Sequence, residues 1–148
     1  MTQQFLATVI DDSVISAMIA GDSVPVICQE RLVEPEEYRS YFFGDRCVTL
    51  AIQRTGLPAQ RTDIHFDSSV LDTAAITSIP GKVVNELRDI KALTGLNVLS
   101  IDYFIVNGSL RVLEINPLTS WAWLPPLARL PVVAAIRDYL HSELPSDY

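Results

Sequence analysis

Apolar and polar positions along this chain follow two rhythms, one strand-like and one helical. Residues 100–117 read Ser-Ile-Asp-Tyr-Phe-Ile-Val-Asn-Gly-Ser-Leu-Arg-Val-Leu-Glu-Ile-Asn-Pro. Two apolar runs joined at Asn107-Gly108 predict a β-hairpin, because both turn residues tolerate positive φ. Arg39 to Phe43 and Arg46 to Ile52 predict a second hairpin around Gly44-Asp45, with Gly placed for a type II′ turn. Val24 to Leu32 predicts a further strand with Pro25 near its start. Helical spacing is clearest over Gly81 to Thr94, where Val83, Val84, Leu87, Ile90 and Leu93 point to a core and Gly95 caps. A short helix is predicted over Asp11 to Ala20, with an acidic start and Gly21 as its stop. Pro131 opens a final helix, with Val132, Val133, Ala135, Ile136, Tyr139 and Leu140 as its apolar residues. Residues 53–75 are polar and poorly patterned, with weak strand signal around Ile64 to Phe66. Strands, helix, strands, helix predict an α+β fold with a mainly antiparallel sheet and flanking helices.

Composition adds bounds. A chain of 148 residues fits one domain with a real core. Its 49% hydrophobic and 20% charged content is that of an ordinary globular protein. A net charge of −7 with no basic stripe argues against nucleic acid as a partner. No apolar run is long enough to cross a bilayer, so no membrane role is expected. No basic stretch precedes an apolar core at the N-terminus, which points to the cytoplasm. Cys28 and Cys47 sit on predicted strands without metal-ligand spacing and read as reduced, buried thiols, a disulfide being the alternative.

The candidate chemistry lies in the hairpin. Asp102, Glu114 and Asn116 interrupt strands that are otherwise largely apolar. Burying two carboxylates and an amide is costly unless something pairs with them. A hard divalent cation is the natural partner, since Mg²⁺ takes one or two carboxylates plus phosphate oxygens and water. The bland reading is a wet face on an edge hairpin. Parity constrains the geometry: across a plain two-residue turn Asp102 faces Leu113, and Glu114 points to the other side of the sheet. Shared ligation therefore needs a bulge or an odd-length loop, such as Val106-Asn107-Gly108 with left-handed Gly. Glu114 and Asn116 already share a face.

These residues resemble the metal-binding end of the ATP-grasp superfamily, whose last catalytic hairpin carries an Asp and then Glu-x-Asn-Pro. Val26-Ile-Cys-Gln-Glu-Arg-Leu32 resembles the strand and hinge that contact adenine. Glu37-Tyr-Arg39 and Ser40-Tyr-Phe-Phe-Gly-Asp-Arg-Cys-Val48 resemble the next hairpin. Asn116-Pro-Leu-Thr-Ser-Trp-Ala-Trp-Leu124 is most similar to the ligases that modify ribosomal proteins or cyclise peptides, the graspetide macrocyclases. Matching motifs run from about Val24 to the C-terminal helix.

The resemblance implies an ATP- and Mg²⁺-dependent carboxylate–amine or carboxylate–hydroxyl ligase acting through an acyl phosphate, with Mn²⁺ as a substitute cation. It implies Asp102, Glu114 and Asn116 as metal ligands and Gln29, Glu30, Arg31 and Leu32 around adenine. Glu37 falls where the family meets the ribose, the other reading being a solvated acidic turn with Glu34 and Glu36. Arg39 matches the family's strand arginine and suits a phosphate or substrate carboxylate, or else is an outward strand charge. Trp121 and Trp123 line a substrate groove or pack in the core. His65 departs from the family's Asp-Trp-Arg type motif, which Asp63 alone matches. The implied substrate is a peptide or small-molecule carboxylate.

No Gly-rich phosphate loop is present, and the only lysines are Lys82 and Lys91. The chain thus reads as a single partial ATP-grasp domain. Residues 1–23 would be a front-lobe remnant or leader helix, and residues 24–148 the hinge strand and C-terminal subdomain. Completion by a front-lobe chain or a second copy is one expectation, and a non-catalytic binding or assembly module is the alternative.

Overall fold

The computed structural model describes residues 12–19, 30–32, 36–54, 68–117 and 119–144. Its elements are α1 (Asp12–Ile19), β1 (Glu36–Phe43), β2 (Arg46–Gln53), α2 (Ser68–Leu71), β3 (Ala75–Ile76), α3 (Gly81–Thr94), β4 (Val98–Val106), β5 (Ser109–Asn116) and α4 (Pro126–Glu143). The five strands form one sheet in the order β3-β2-β1-β4-β5, with every neighbouring pair antiparallel. The α+β expectation holds. Residues 24–29 of the expected hinge strand, with Cys28 and Gln29, lie outside the described residues, as do Asp63, His65 and the segment 64–66. Residues 30–32 have no regular secondary structure.

Alternation along the strands splits the core in two. Phe42, Leu99, Ile101 and Tyr103 face α3, which contributes Val83 and Leu87. Tyr41, Phe43, Leu50 and Ile52 face the other way, onto Ala128, Val132 and Ala135 of α4 and onto Val70 and Ala74. Leu93, read as a core position, is 89% exposed because it lies off the stripe that Val83, Leu87 and Ile90 define. On the α3 side the buried hydroxyls are satisfied: Ser40 Oγ meets Thr49 Oγ1 at 2.8 Å and the Tyr103 hydroxyl at 3.0 Å. Burial pushes the Tyr103 phenol up to about 12.

Three elements differ from the sequence reading. Helix α4 begins at Pro126 rather than Pro131, which sits inside it. Pro131 removes one helical N–H, but the carbonyl left without it belongs to Leu127, which is 85% exposed and open to water. Burial of Ala128, Val132 and Ala135 along one face favours continuing the helix. Val133 and Leu140, read as inward, are exposed. Helix α2 and strand β3 are too short for any period to show in the sequence, yet Val70 of α2 and Ala74 just before β3 are buried. Among the described residues no helix is long and apolar enough to cross a membrane.

The β1–β2 turn is the one expected. Gly44 has φ of 58° and Asp45 does not have positive φ, as in a type II′ turn. A Cβ on Gly44 would also lie 2.9 Å from the Tyr139 ring of α4. Gly44→Ala should therefore cost about 1–2 kcal/mol, more than Gly108→Ala, whose Cβ meets open space. Urea unfolding of both variants tests this, and equal losses would show that the Tyr139 contact contributes nothing.

Candidate functional site

The sheet face that carries α4 is only half apolar. Cross-strand pairing sets two adjacent rows on it: Leu50, Arg39, Asp102, Glu114, and beside it Val48, Tyr41, Ser100, Asn116. Register brings Glu114 into the first row by a specific device. Asn107 and Gly108 have φ of 51° and 73°, a two-residue type I′ turn, so Val106 pairs with Ser109. The three-residue loop suggested by the sequence is not formed, because Asn and Gly both accept positive φ and close the tighter turn. A regular ladder would then set Leu113 opposite Asp102. Instead Tyr103 pairs with Val112 and Asp102 with Glu114, leaving Leu113 as the extra residue of a β-bulge. Asp102, Glu114 and Asn116 thus share one face.

Arg39 and Asp102 form the centre of the site, at 6% and 3% exposure. Arg39 donates through Nε to Asp102 Oδ1 and through Nη2 to Oδ2, the latter at 2.6 Å. Asn116 Nδ2 donates to the same Oδ2 at 3.0 Å, which presents its carbonyl oxygen as an acceptor elsewhere. Burial disfavours the guanidinium charge, but the hydrogen bond and charge of Asp102 outweigh it and hold Arg39 protonated more firmly than usual. The Trp123 ring lies 5.3 Å from the guanidinium carbon, within cation–π range. Trp121 instead packs edge-on against Phe43 in the core.

A cleft of about 280 Å³ opens over this face, lined by Arg39, Ser100, Glu114, Asn116, Thr119, Ser120 and Trp123. Its loop wall is braced. The Tyr41 hydroxyl donates to Ser120 O at 2.9 Å, and the Trp123 indole donates to the same oxygen at 3.1 Å. Arg39, predicted as a site residue, and the three predicted metal ligands therefore meet in one place. Glu37 lies two residues along β1 on the same face, which makes it a buried strand residue rather than part of a solvated turn. Its Oε2 accepts from Arg54 Nη1 at 2.6 Å, and Arg54 lies 5.2 Å from the Phe104 ring. Glu30 and Arg31 are exposed, Leu32 is half-buried, and none of the three lines the cleft.

The donor set fits a hard cation. Asp102 uses three of about four lone-pair positions, Glu114 is exposed, and Asn116 offers a neutral oxygen. Among the described residues no three His, Cys, Asp or Glu side chains gather as a closed metal cage. A cation here would keep water or ligand oxygens, as Mg²⁺ does. Sequence reasoning passed over Ser100, Thr119, Ser120 and Arg54. Ser100 carried the same signal as Asp102, a polar residue set in an apolar strand.

No family model and no curated protein matches the sequence. Solved structures do. The macrocyclase MdnC of Microcystis aeruginosa MRC, bound with the precursor peptide MdnA, matches with a TM-score of 0.57 and 25% identity over 76% of this chain and 35% of its own. An ATP-grasp ligase of Chryseobacterium gregarium associated with ribosomally made peptides, in complex with ADP and a leader and core peptide, matches at 0.64 and 20% identity over 74% and 34%. The macrocyclase MdnB of Microcystis aeruginosa MRC matches at 0.56 and 18% over 90% and 47%. The fold is that of part of a macrocyclase-type ATP-grasp ligase. This chain spans between about a third and a half of the length of these three structures.

Proposed function

We propose that the chain supplies the cation- and phosphate-binding face of an ATP-dependent ligase that joins a peptide carboxylate to an amine or hydroxyl. The observation that carries this reading is the convergence of Asp102, Glu114 and Asn116 beside Arg39 in one cleft, achieved by the Leu113 bulge. The ADP and peptides in complex with the structural neighbours support the ligand classes.

In this reading Asp102, Glu114 and Asn116 hold Mg²⁺, with Mn²⁺ tolerated. Bound there, the ion offsets the charge that grows on a transferring phosphoryl group. Arg39 fixes the Asp102 carboxylate and places a permanent positive charge at the reacting end of the cleft. A substrate carboxylate oxygen attacks the γ-phosphorus and ADP leaves. The amine or hydroxyl then attacks the acyl carbon and phosphate departs. Glu37 takes the ribose hydroxyls, and the backbone from Gln29 through Glu30, Arg31 and Leu32 meets the adenine edge.

Cations on the far side of the phosphates come from a front lobe or a second copy. Lys82 and Lys91, the chain's only lysines, lie on α3 against the opposite sheet face from the cleft. A second reading, a non-catalytic binding module, is favoured by the double grip of Arg39 on Asp102, which already neutralises that carboxylate.

Calorimetry with Mg-ATP and a phosphate-release assay test the proposal. The chain alone should bind Mg-ATP weakly, at millimolar concentrations, and show no steady hydrolysis until a completing lobe is added. Tight binding with steady turnover by the chain alone would overturn the need for completion. No binding at millimolar nucleotide would overturn the nucleotide reading itself.

A further inference from the structure

Among the described residues two buried side-chain polar atoms have no hydrogen-bond partner, Ser100 Oγ and Thr119 Oγ1. Both belong to residues that line the cleft. The coincidence is informative, because a buried hydroxyl left unpaired is destabilising and folded proteins avoid it. The hydroxyls of Ser40, Thr49 and Tyr103, buried on the other sheet face, satisfy one another. Ser100 is 0% exposed and sits in the second row between Tyr41 and Asn116, one alternation from Asp102. Thr119 reaches the same space from the loop that the Tyr41 hydroxyl and the Trp123 indole hold at Ser120.

Several of the other polar groups of the cleft already serve Asp102 or are acceptors. Arg39 gives Nε and Nη2 to Asp102, and Asn116 gives one of its two amide hydrogens to Asp102. Glu114 carries only acceptor oxygens when ionised. An anion brought in with a cation would place some oxygens on the metal and leave others needing donors. Two uncharged O–H groups, unengaged until the ligand arrives, meet that need.

We propose that Ser100 and Thr119 form a hydroxyl pair that receives the terminal phosphoryl oxygens of a cation-bound triphosphate, in addition to the Asp102, Glu114 and Asn116 set. The proposal rests on the nucleotide reading above and assigns to that site two residues that contact the ligand but not the metal. It gives the cleft a means of telling a triphosphate from a diphosphate. It also explains why the ligand-free fold tolerates two unsatisfied hydroxyls in one place.

The test compares the full chain with Ser100→Ala, Thr119→Val and Thr119→Ser. Affinity is read by tryptophan fluorescence and calorimetry, with the Mg²⁺ complexes of a non-hydrolysable ATP analogue and of ADP and with inorganic phosphate as probes. Thermal unfolding without ligand is measured alongside. Ser100→Ala and Thr119→Val should each weaken the triphosphate analogue about tenfold, the usual scale for a hydrogen bond to a charged oxygen. ADP affinity should stay within about twofold, Thr119→Ser should bind like the parent, and the ligand-free melting temperature should hold or rise. Inorganic phosphate competing with the analogue in the parent chain, and less well in the two hydroxyl-deletion variants, would localise the contact to a phosphoryl group. Unchanged analogue affinity in both variants, or equal losses for ADP and analogue, would overturn the pairing while leaving the nucleotide reading intact. A parent chain that binds neither nucleotide would remove both.

Discussion

Replacing Asp102 with alanine should cost about 3–5 kcal/mol of stability, because it leaves the largely buried guanidinium of Arg39 without its carboxylate. Arg39 is 6% exposed, and both Asp102 oxygens accept from it, so the carboxylate is the counter-charge that the burial of this guanidinium relies on. A domain of this size holds only about 5–15 kcal/mol in total, so the variant should be partly unfolded at physiological temperature. Asp102→Asn keeps the shape and loses the charge, and should fall between alanine and the parent. Removing both partners together, as Arg39→Met with Asp102→Leu, should recover most of the loss, since a buried pair replaced by apolar groups is often near neutral. A double-mutant cycle by urea denaturation measures this directly. A cost below about 1 kcal/mol for Asp102→Ala would mean the pair behaves like a surface ion pair, and the picture of a closed centre would fail.

The second large effect is kinetic. In an enzyme completed by a front lobe, Glu114→Gln should lower kcat about 100-fold or more and leave KM for ATP nearly unchanged. Glu114 is exposed at the cleft, so its amide variant should fold normally. Its charge would act where negative charge grows toward the transition state, which is where a lost interaction lowers kcat. Glu37→Gln should instead raise KM for ATP, because a ribose contact is the same in ground and transition states. Glu37 also holds Arg54 at 2.6 Å with both side chains largely buried, so this variant should melt earlier as well. The two variants thus differ in both assays. If they lower kcat alike, or Glu114→Gln changes only KM, the roles assigned to them are wrong even with the fold unchanged.

Much of the architecture was legible because its signals are local. Asn107-Gly108 and Gly44-Asp45 place two hairpins through their own φ preferences, and the spacing of Val83 and Leu87 places α3. The convergence of Asp102 with Glu114 was expected from the metal-site reading, and parity then required an irregularity somewhere in the hairpin. Its position did not follow, because a bulge at Leu113 depends on which residues the sheet and helices must bury rather than on Leu113 itself. The start of α4 was hidden for a similar reason: the tertiary burial of Ala128 and Val132 overrides the local signal of Pro131. Arg54 lay in a stretch without periodicity, and its role depends on Glu37 across the β1–β2 pair. Ser100 was readable as a polar residue in an apolar strand, but that its hydroxyl lacks a partner is a property of the packed structure alone.

The loop between β5 and α4 has a thermodynamic consequence. Ser120 O receives donors from Tyr41 and Trp123, and Arg129 donates to Ala122 O at 2.7 Å and to Leu124 O at 2.6 Å. Side chains from a strand, from the loop itself and from a helix thus hold one short segment, the one that carries Thr119 and Trp123 to the cleft. The conformational entropy of that segment is lost when the chain folds, not when a ligand arrives. A small ion or phosphate entering from this side meets a wall already set in shape, and the free energy of its contacts is not diminished by ordering the loop that makes them.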